Sequence, residues 1–138
     1  MTSPGFVVLV VEDDVLTRID VAGAFEASGC AVLEAASGQA ALALCSSDTP
    51  VDALVTDIDL GNGATGWDVA RAFWARDAIP VIYMSANPDV PQRRVPRSRF
   101  VAKPCLSSAL IQECAHLHAR FREADARPWP IESRPAPA

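Results

Sequence analysis

The chain has 138 residues, of which 50% are hydrophobic, and its formal net charge is -5. This length and composition fit one domain with one buried core and exclude a disordered chain. The acidic balance argues against a general nucleic-acid-binding protein, and no apolar run approaches the about 20 residues that a membrane helix needs.

The first half of the chain alternates short apolar runs with segments of helical spacing. The valine-rich run from Phe6 to Val11 predicts a strand that is buried on both faces. A helix is predicted from Asp14 to Ser28, because Gly29 is a typical stop signal. Its predicted buried stripe consists of Leu16, Ile19, Ala22, Phe25 and Ala27. A second strand is predicted from Ala31 to Ala35.

The same alternation continues to the last helix. Ser37 predicts the N-cap of a second helix, and its predicted buried stripe is Ala40, Ala41, Leu44 and Cys45. Further strands are predicted at 51–56, 80–84 and 99–102, and further helices at 66–75 and 106–122. The stripe of the 66–75 helix is Val69, Ala70 and Phe73, and that of the last helix is Leu106, Leu110, Cys114, Leu117 and Phe121.

This alternation predicts an α/β fold with a doubly wound parallel sheet and helices on both faces. The fourth crossover, residues 87–98, contains Pro88, Pro91 and Pro96, so we expect a short or irregular fourth helix in a mobile loop. Residues 1–122 are predicted to form the domain. Residues 123–138 are rich in proline and alanine, which predicts a flexible tail.

The four cysteines lack the C-x-x-C spacing of many metal and redox sites, and the N-terminal apolar run is too short for a signal peptide. We therefore expect a cytoplasmic protein whose cysteines are small buried side chains. His116 and His118 are two positions apart on a helix, which makes a poor metal pair and predicts two surface residues. The four arginines between Arg93 and Arg99 predict a solvated loop or a contact with an acidic surface.

Polar residues follow the predicted strands where ligands bind in an open parallel sheet. They are Glu12, Asp13, Asp57, Ser85 and Lys103. Clustered carboxylates repel one another unless a cation lies among them, and an oxygen-only ligand set favours Mg²⁺. Lysine and a hydroxyl suit phosphoryl oxygens, and a carboxylate can be the nucleophile that forms an acyl phosphate. Each residue alone also fits a turn, a helix start or a surface charge.

Together these stretches resemble the response-regulator receiver domain of two-component signalling, over about residues 6–121. The resemblance depends on VLVVEDDVLTR, LVTDIDL, GWDVA, IPVIYMSA and FVAKP. It implies a flavodoxin-like five-stranded sheet with strand order 2-1-3-4-5. It also implies a signalling protein rather than an enzyme, with autodephosphorylation as a possible activity.

The resemblance assigns roles to single residues. Asp57 is implied as the phosphoacceptor, and Lys103, whose bond to Pro104 is implied to be cis, as the contact to the phosphoryl group. Ser85 and Phe100 occupy the two switch positions. The implied Mg²⁺ site comprises Glu12, Asp13, Asp57 and, through its backbone carbonyl, Asp59. Asp59 and Asn87 hold positions that tune autodephosphorylation in the family.

The implied partners are a histidine kinase or phosphotransfer protein and a downstream protein, with a homodimer possible. A single-domain regulator or a phosphorelay shuttle fits these expectations. Three alternatives remain open at this point. DIDLG also fits a haloacid-dehalogenase-type phosphatase, the fold also suits a flavodoxin-like cofactor binder, and a phosphorylation-independent adaptor could retain the same site.

Overall fold

The computed structural model describes residues 5–121, and they form one parallel sheet covered by helices on both faces. The strands are β1 (Val7–Val11), β2 (Ala31–Ala35), β3 (Ala53–Asp57), β4 (Val81–Ser85) and β5 (Arg99–Ala102). The helices are α1 (Val15–Ala27), α2 (Gly38–Ser46), α3 (Gly66–Arg76) and α4 (Ser107–Arg120). The strand order β2-β1-β3-β4-β5 confirms the predicted topology, and every neighbouring pair is parallel.

The predicted elements lie within about two residues of those observed. The fourth crossover contains only a 3-10 turn, Pro91–Arg93, which confirms the short, irregular helix. Proline cannot donate the hydrogen bond that a longer helix requires, and three prolines occur in this segment. The predicted tail at 123–138 lies outside the described residues. Within residues 5–121, no helix is long and apolar enough to cross a membrane.

The core is divided by the sheet into two layers. Successive residues of a strand point to opposite faces, so Leu9 and Leu54 contribute to one layer, and Val8 and Val55 to the other. Every residue of β3 and β4 is buried, because these strands are covered on both faces. The continuous apolar runs in the sequence therefore reflect their central position in the sheet.

The predicted buried stripe of α1 is wrong for the first half of the helix. Leu16 and Ile19 are 78% and 56% exposed, whereas Val21, Ala22 and Phe25 are buried. The helix begins at the edge of the sheet where β1 ends, so its first turns have no strand beneath them. Leu106 is 74% exposed for the same reason, since it precedes α4 at that edge. Ala27 and Ala40, also predicted inward, are exposed small residues.

Two predictions about histidine and cysteine need correction. His116 is exposed as predicted, but His118 is buried and its ring packs edge-on against Phe6 at 4.7 Å. Residues two apart on a helix face different sides, so one of the pair points inward. Only Cys30 and Cys114 are buried as predicted, while the other two cysteines are half-buried.

Side-chain caps fix where the helices begin. Ser37 accepts a hydrogen bond from the Ala40 amide at 3.1 Å, as predicted. Thr65 and Asp68 form a reciprocal capping box at the start of α3. Gly66 then passes so close to β3 that a Cβ built on it would collide with the backbone carbonyl of Asp57. The start of α3 therefore packs directly against the end of β3.

We expect Gly66→Ala to lower the free energy of unfolding by about 1–3 kcal/mol, because overpacking must displace backbone. The matched control is Gly23→Ala on α1, where a Cβ meets no atom within 4 Å. It should raise that free energy by about 0.5–1 kcal/mol, since alanine favours the helix. Urea titrations of both variants measure the two changes. A neutral Gly66→Ala variant would contradict the close packing.

Candidate phosphoryl-transfer site

The polar residues predicted at the strand ends meet at one edge of the sheet. Asp57 and Ser85 are the last residues of β3 and β4, while Glu12 and Lys103 directly follow β1 and β5. Backbone hydrogen bonds extend the parallel pairing past these ends. The Lys103 amide donates to the Ser85 carbonyl at 2.8 Å, and the Ile58 amide donates to the Met84 carbonyl at 3.1 Å. The site is therefore built on rigid strand ends.

Lys103 lies between two buried carboxylates. Its Nζ donates to Glu12 Oε1 at 2.6 Å and to Asp57 Oδ2 at 3.0 Å. Glu12 is 1% exposed and Asp57 is 6% exposed. The lysine side chain itself is 24% exposed, so it reaches this pair from the surface. Charge-assisted hydrogen bonds of this kind are short and hold the lysine amine in place.

The burial of this cluster changes its protonation. Loss of water raises the pKa of Glu12 to about 7, against the lowering effect of its hydrogen bonds to Lys103 and the Asp14 amide. The negative charge of Asp57 adds to the increase. Burial by itself lowers the pKa of Lys103, but its hydrogen bonds to Glu12 and Asp57 outweigh that effect and raise it. The lysine therefore stays charged at neutral pH.

Three carboxylates in this cluster are arranged as a cation site would require. One oxygen each from Glu12, Asp13 and Asp57 lies within 4.8 Å of the others. Glu12 and Asp57 are buried, whereas Asp13 is exposed at the mouth of the site. Hard oxygen donors without histidine or cysteine suit Mg²⁺, so these residues fit the predicted ion. Asp59 is also exposed, and its carboxylate accepts a hydrogen bond from the side-chain amide of Asn87.

The two predicted switch residues occupy different environments. Ser85 is 1% exposed, and its hydroxyl accepts a hydrogen bond from the Asn87 amide at 2.9 Å. Phe100 is half-buried, pairs with Tyr83 across β4 and β5, and packs against the larger core cluster. The bond between Lys103 and Pro104 is cis, as the resemblance implied.

Arg18 is a positioning residue that the sequence did not single out. One guanidinium nitrogen donates to the Glu12 carbonyl at 2.9 Å, and Nε pairs with Glu34 at 3.1 Å. This arginine therefore connects α1, the acidic loop after β1 and the end of β2. The only signal available in the sequence was a basic residue one turn after the Asp14 N-cap, and that spacing also fits an ordinary surface charge.

Comparison with known proteins agrees with this geometry. The family model described as "Response regulator receiver domain" matches residues 8–115. A response regulator receiver protein from Sinorhizobium medicae has 28% identity and a TM-score of 0.79, over 82% of this chain and 94% of that one. The receiver domain of the hybrid histidine kinase CckA has 25% identity and a TM-score of 0.69, over 80% and 97%.

One further structure supports the fold alone. A CheY-like receiver domain protein from Methanospirillum hungatei has 18% identity and a TM-score of 0.75, over 88% of this chain and 100% of that one. The sequence matches no curated protein.

We expect the buried Glu12 carboxyl to make stability depend on pH when divalent cations are removed by chelation. Its pKa rises from the ordinary 4.5 to about 7 on folding. The extra stability is therefore fully present below about pH 4.5 and is lost as the pH rises through about 7, a change on the order of 3 kcal/mol.

Glu12→Gln should abolish this component, because glutamine does not titrate. The difference in unfolding free energy between Glu12→Gln and wild type should then shift in favour of the variant by about 3 kcal/mol as the pH rises from 4 to 8. Glu26→Gln, the same change at an exposed position on α1, is the matched control for the substitution itself. Parallel pH curves for Glu12→Gln and wild type would contradict the raised pKa.

Proposed function

Because this chain belongs to the response regulator receiver domain family, we propose that it accepts a phosphoryl group on Asp57 in a Mg²⁺-dependent reaction. The donor is a histidine kinase or a phosphotransfer protein that carries phosphohistidine. The observation that supports this proposal most strongly is the position of Lys103 between Glu12 and Asp57, at 2.6 and 3.0 Å. Such a charged group can stabilise the negative charge of a phosphoryl group that arrives at Asp57.

The reaction transfers one phosphoryl group between two side chains. A carboxylate oxygen of Asp57 attacks phosphorus, the P–N bond to the donor histidine breaks, and the imidazole leaves with its electron pair. The fixed strand end holds Asp57 in one orientation, which favours attack in line with the leaving group. Lys103 donates hydrogen bonds to a phosphoryl oxygen in the product.

Asp13 and Asp57 would hold Mg²⁺ through their carboxylates, with Glu12 behind them and the Asp59 carbonyl as a further ligand. The bound ion supplies charge neutralisation at the phosphoryl oxygens. Burial raises the pKa of Glu12 and the negative charge of Asp57 adds to the increase, so a cation held here would favour the ionised carboxylates. The exposed position of Asp13 leaves the ion and the donor a route to the site.

The signal leaves through Ser85 and Phe100. The Ser85 hydroxyl, now bonded by the Asn87 amide, would turn to a phosphoryl oxygen and release that amide. Phe100 is only half-buried, so an inward rotation would bury more of its ring. Phosphorylation thereby shifts the population between two surfaces, and one of them contacts a downstream protein or passes the phosphoryl group on.

An apolar surface beside the site suits the donor protein. Leu16, Ile19 and Leu106 are each more than half exposed. A cavity of about 510 Å³ extends from Leu16 to Lys103 and Pro104. An exposed apolar side chain at the rim of such a cavity suits a protein contact. We assign the rim of this cavity, with Leu16 exposed on it, as the donor-docking patch.

The alternative functions have less support. The family match and the strand order do not favour a haloacid-dehalogenase-type phosphatase, and the Asp59 side chain is hydrogen-bonded to Asn87. An acidic loop after β1 would repel the phosphate of a flavin cofactor. The adaptor alternative differs from our proposal only in that Asp57 is not phosphorylated, so the first experiment below distinguishes the two.

With acetyl phosphate and Mg²⁺, the wild-type protein should incorporate phosphoryl group at one site, as measured by intact-mass spectrometry. Asp57→Asn should abolish incorporation, since an amide is a poor nucleophile, and chelation should abolish it in the wild type. Asp52→Asn is a matched control away from the site. Equal incorporation by the Asp57→Asn variant would contradict the assignment, and a folded wild type that no donor labels would favour the adaptor.

Leu16→Ser should slow transfer from a phosphohistidine protein that labels the wild type by roughly tenfold, because docking loses apolar contact worth about 1–2 kcal/mol. Its rate with acetyl phosphate should be unchanged, since a small donor needs no docking patch. Val90→Ser, an exposed apolar control in the fourth crossover, should leave both rates unchanged. Equal slowing with both donors would mean that Leu16 acts through the site itself.

A further inference from the structure

A second concave surface lies away from the phosphoacceptor, between α3 and the segment that joins β4 to β5. It encloses about 460 Å³. Its lining includes Arg71 and Trp74 from α3 and Arg93, Arg94, Val95 and Pro96 from the connecting segment. We call this surface the arginine groove. It exists because three prolines prevent a long helix from filling this position.

The wall of the arginine groove has a defined conformation. The Val95 amide donates to the hydroxyl of Tyr83 at 3.0 Å, and Tyr83 is fully buried in β4. The Ser98 hydroxyl donates to the Val95 carbonyl at 2.8 Å, which closes a turn around Pro96. A single buried side chain thus fixes the connecting segment to the sheet. The groove is therefore a built feature and not an open gap between two loops.

The charge of the groove contrasts with that of the whole protein. The chain carries a net charge of -5, yet three of its twelve basic residues, Arg71, Arg93 and Arg94, line the groove. Arg71 is already paired with Asp68 at 2.9 Å. Arg93 lies over the Trp67 ring at 5.3 Å and makes no ion pair within residues 5–121. Arg94 reaches Asp89 only at 3.7 Å, and in the described part its buried Nε has no hydrogen-bond acceptor. Arg93 therefore has donors available for a carboxylate, and Arg94 holds only a long ion pair.

The groove also has an apolar side. Trp74 is half-buried and contacts Phe121 edge-on at 6.0 Å, while Val95 and Pro96 line the opposite wall. An aromatic or aliphatic side chain could pack on Trp74 while flanking carboxylates reach Arg93 and Arg94. Tryptophan and arginine together are the residue types that contribute most to protein contact surfaces.

We propose that the arginine groove binds an acidic segment of the downstream protein, with an apolar side chain between its carboxylates. The partner assignment rests on the proposed signalling function, whereas the groove and its ligand chemistry do not. Tyr83 lies two residues before Ser85 on β4, and its hydroxyl accepts a hydrogen bond from the amide of Val95, which lines the groove. The end of β4 is therefore in direct contact with the wall of the groove.

The test uses the full-length unphosphorylated protein and a fluorescein-labelled synthetic peptide in which glutamates flank a central phenylalanine. Fluorescence anisotropy should show binding that weakens with salt. Arg93→Glu should weaken it at least about tenfold, because one contact becomes repulsive. Arg120→Glu, the same change at an exposed position on α4 outside the groove, should leave it within about twofold. In ¹H–¹⁵N spectra the peptide should shift Trp74 Nε1–H.

Several results would overturn the proposal. Equal weakening by Arg93→Glu and Arg120→Glu would indicate general charge attraction, and equal binding of a lysine-for-glutamate peptide would exclude a basic groove. An oligonucleotide that binds as tightly as the peptide would mean that any polyanion is sufficient. If Trp129→Ala shifts Trp74 Nε1–H and the peptide does not, the chain's own C-terminal segment is the occupant. Since no step needs phosphorylation, a failure at Asp57 leaves this result unaffected.

Discussion

Lys103 joins two carboxylates that the fold has removed from water, and the rest of the site depends on that pairing. A buried carboxylate without a partner costs several kcal/mol, and removal of one member of a buried pair typically costs about 3–5 kcal/mol. Here Glu12 is 1% exposed and contacts Nζ at 2.6 Å. Burial still raises the pKa of Glu12 despite its hydrogen bond to Lys103, so the ionised form of this carboxyl remains costly. The site is therefore prepared for additional positive charge, and a bound cation fits that need.

The sequence predicted the sheet well because its signals are local. Continuous apolar runs define β3 and β4, and the polar residue after each run marks an end that the parallel topology must bring to one edge. The buried face of each helix was harder to predict. Leu16 and Ile19 have helical spacing, but only the position of α1 relative to the sheet edge decides which face is covered. Arg18 and His118 were missed because their partners, Glu34 and Phe6, are distant in sequence.

β4 connects more parts of this molecule than any local pattern indicates. Its Met84 and Ser85 carbonyls accept hydrogen bonds from the segments after β3 and β5, and the Ser85 hydroxyl accepts one from Asn87. Two residues earlier, the Tyr83 hydroxyl holds Val95. One strand thus contacts the loop after β3, Lys103 and two points of the fourth crossover, Asn87 and Val95. Because packed strands shift as units and not residue by residue, a rearrangement at Ser85 reaches all of these segments.

The edge of the sheet near Asp57 and the arginine groove differ in charge, and this difference decides which ligands each surface attracts. Asp13, Asp14 and Asp20 are exposed at the phosphoacceptor edge, close to the apolar patch. An acidic segment would be repelled there, whereas Arg93 and the weakly paired Arg94 would attract it in the arginine groove. Screening limits each effect to about 8–10 Å at physiological salt, so each surface acts on its own ligand. The two proposed ligands, a phosphodonor and an acidic target, would therefore occupy separate surfaces, and local charge instead of total charge would discriminate between them.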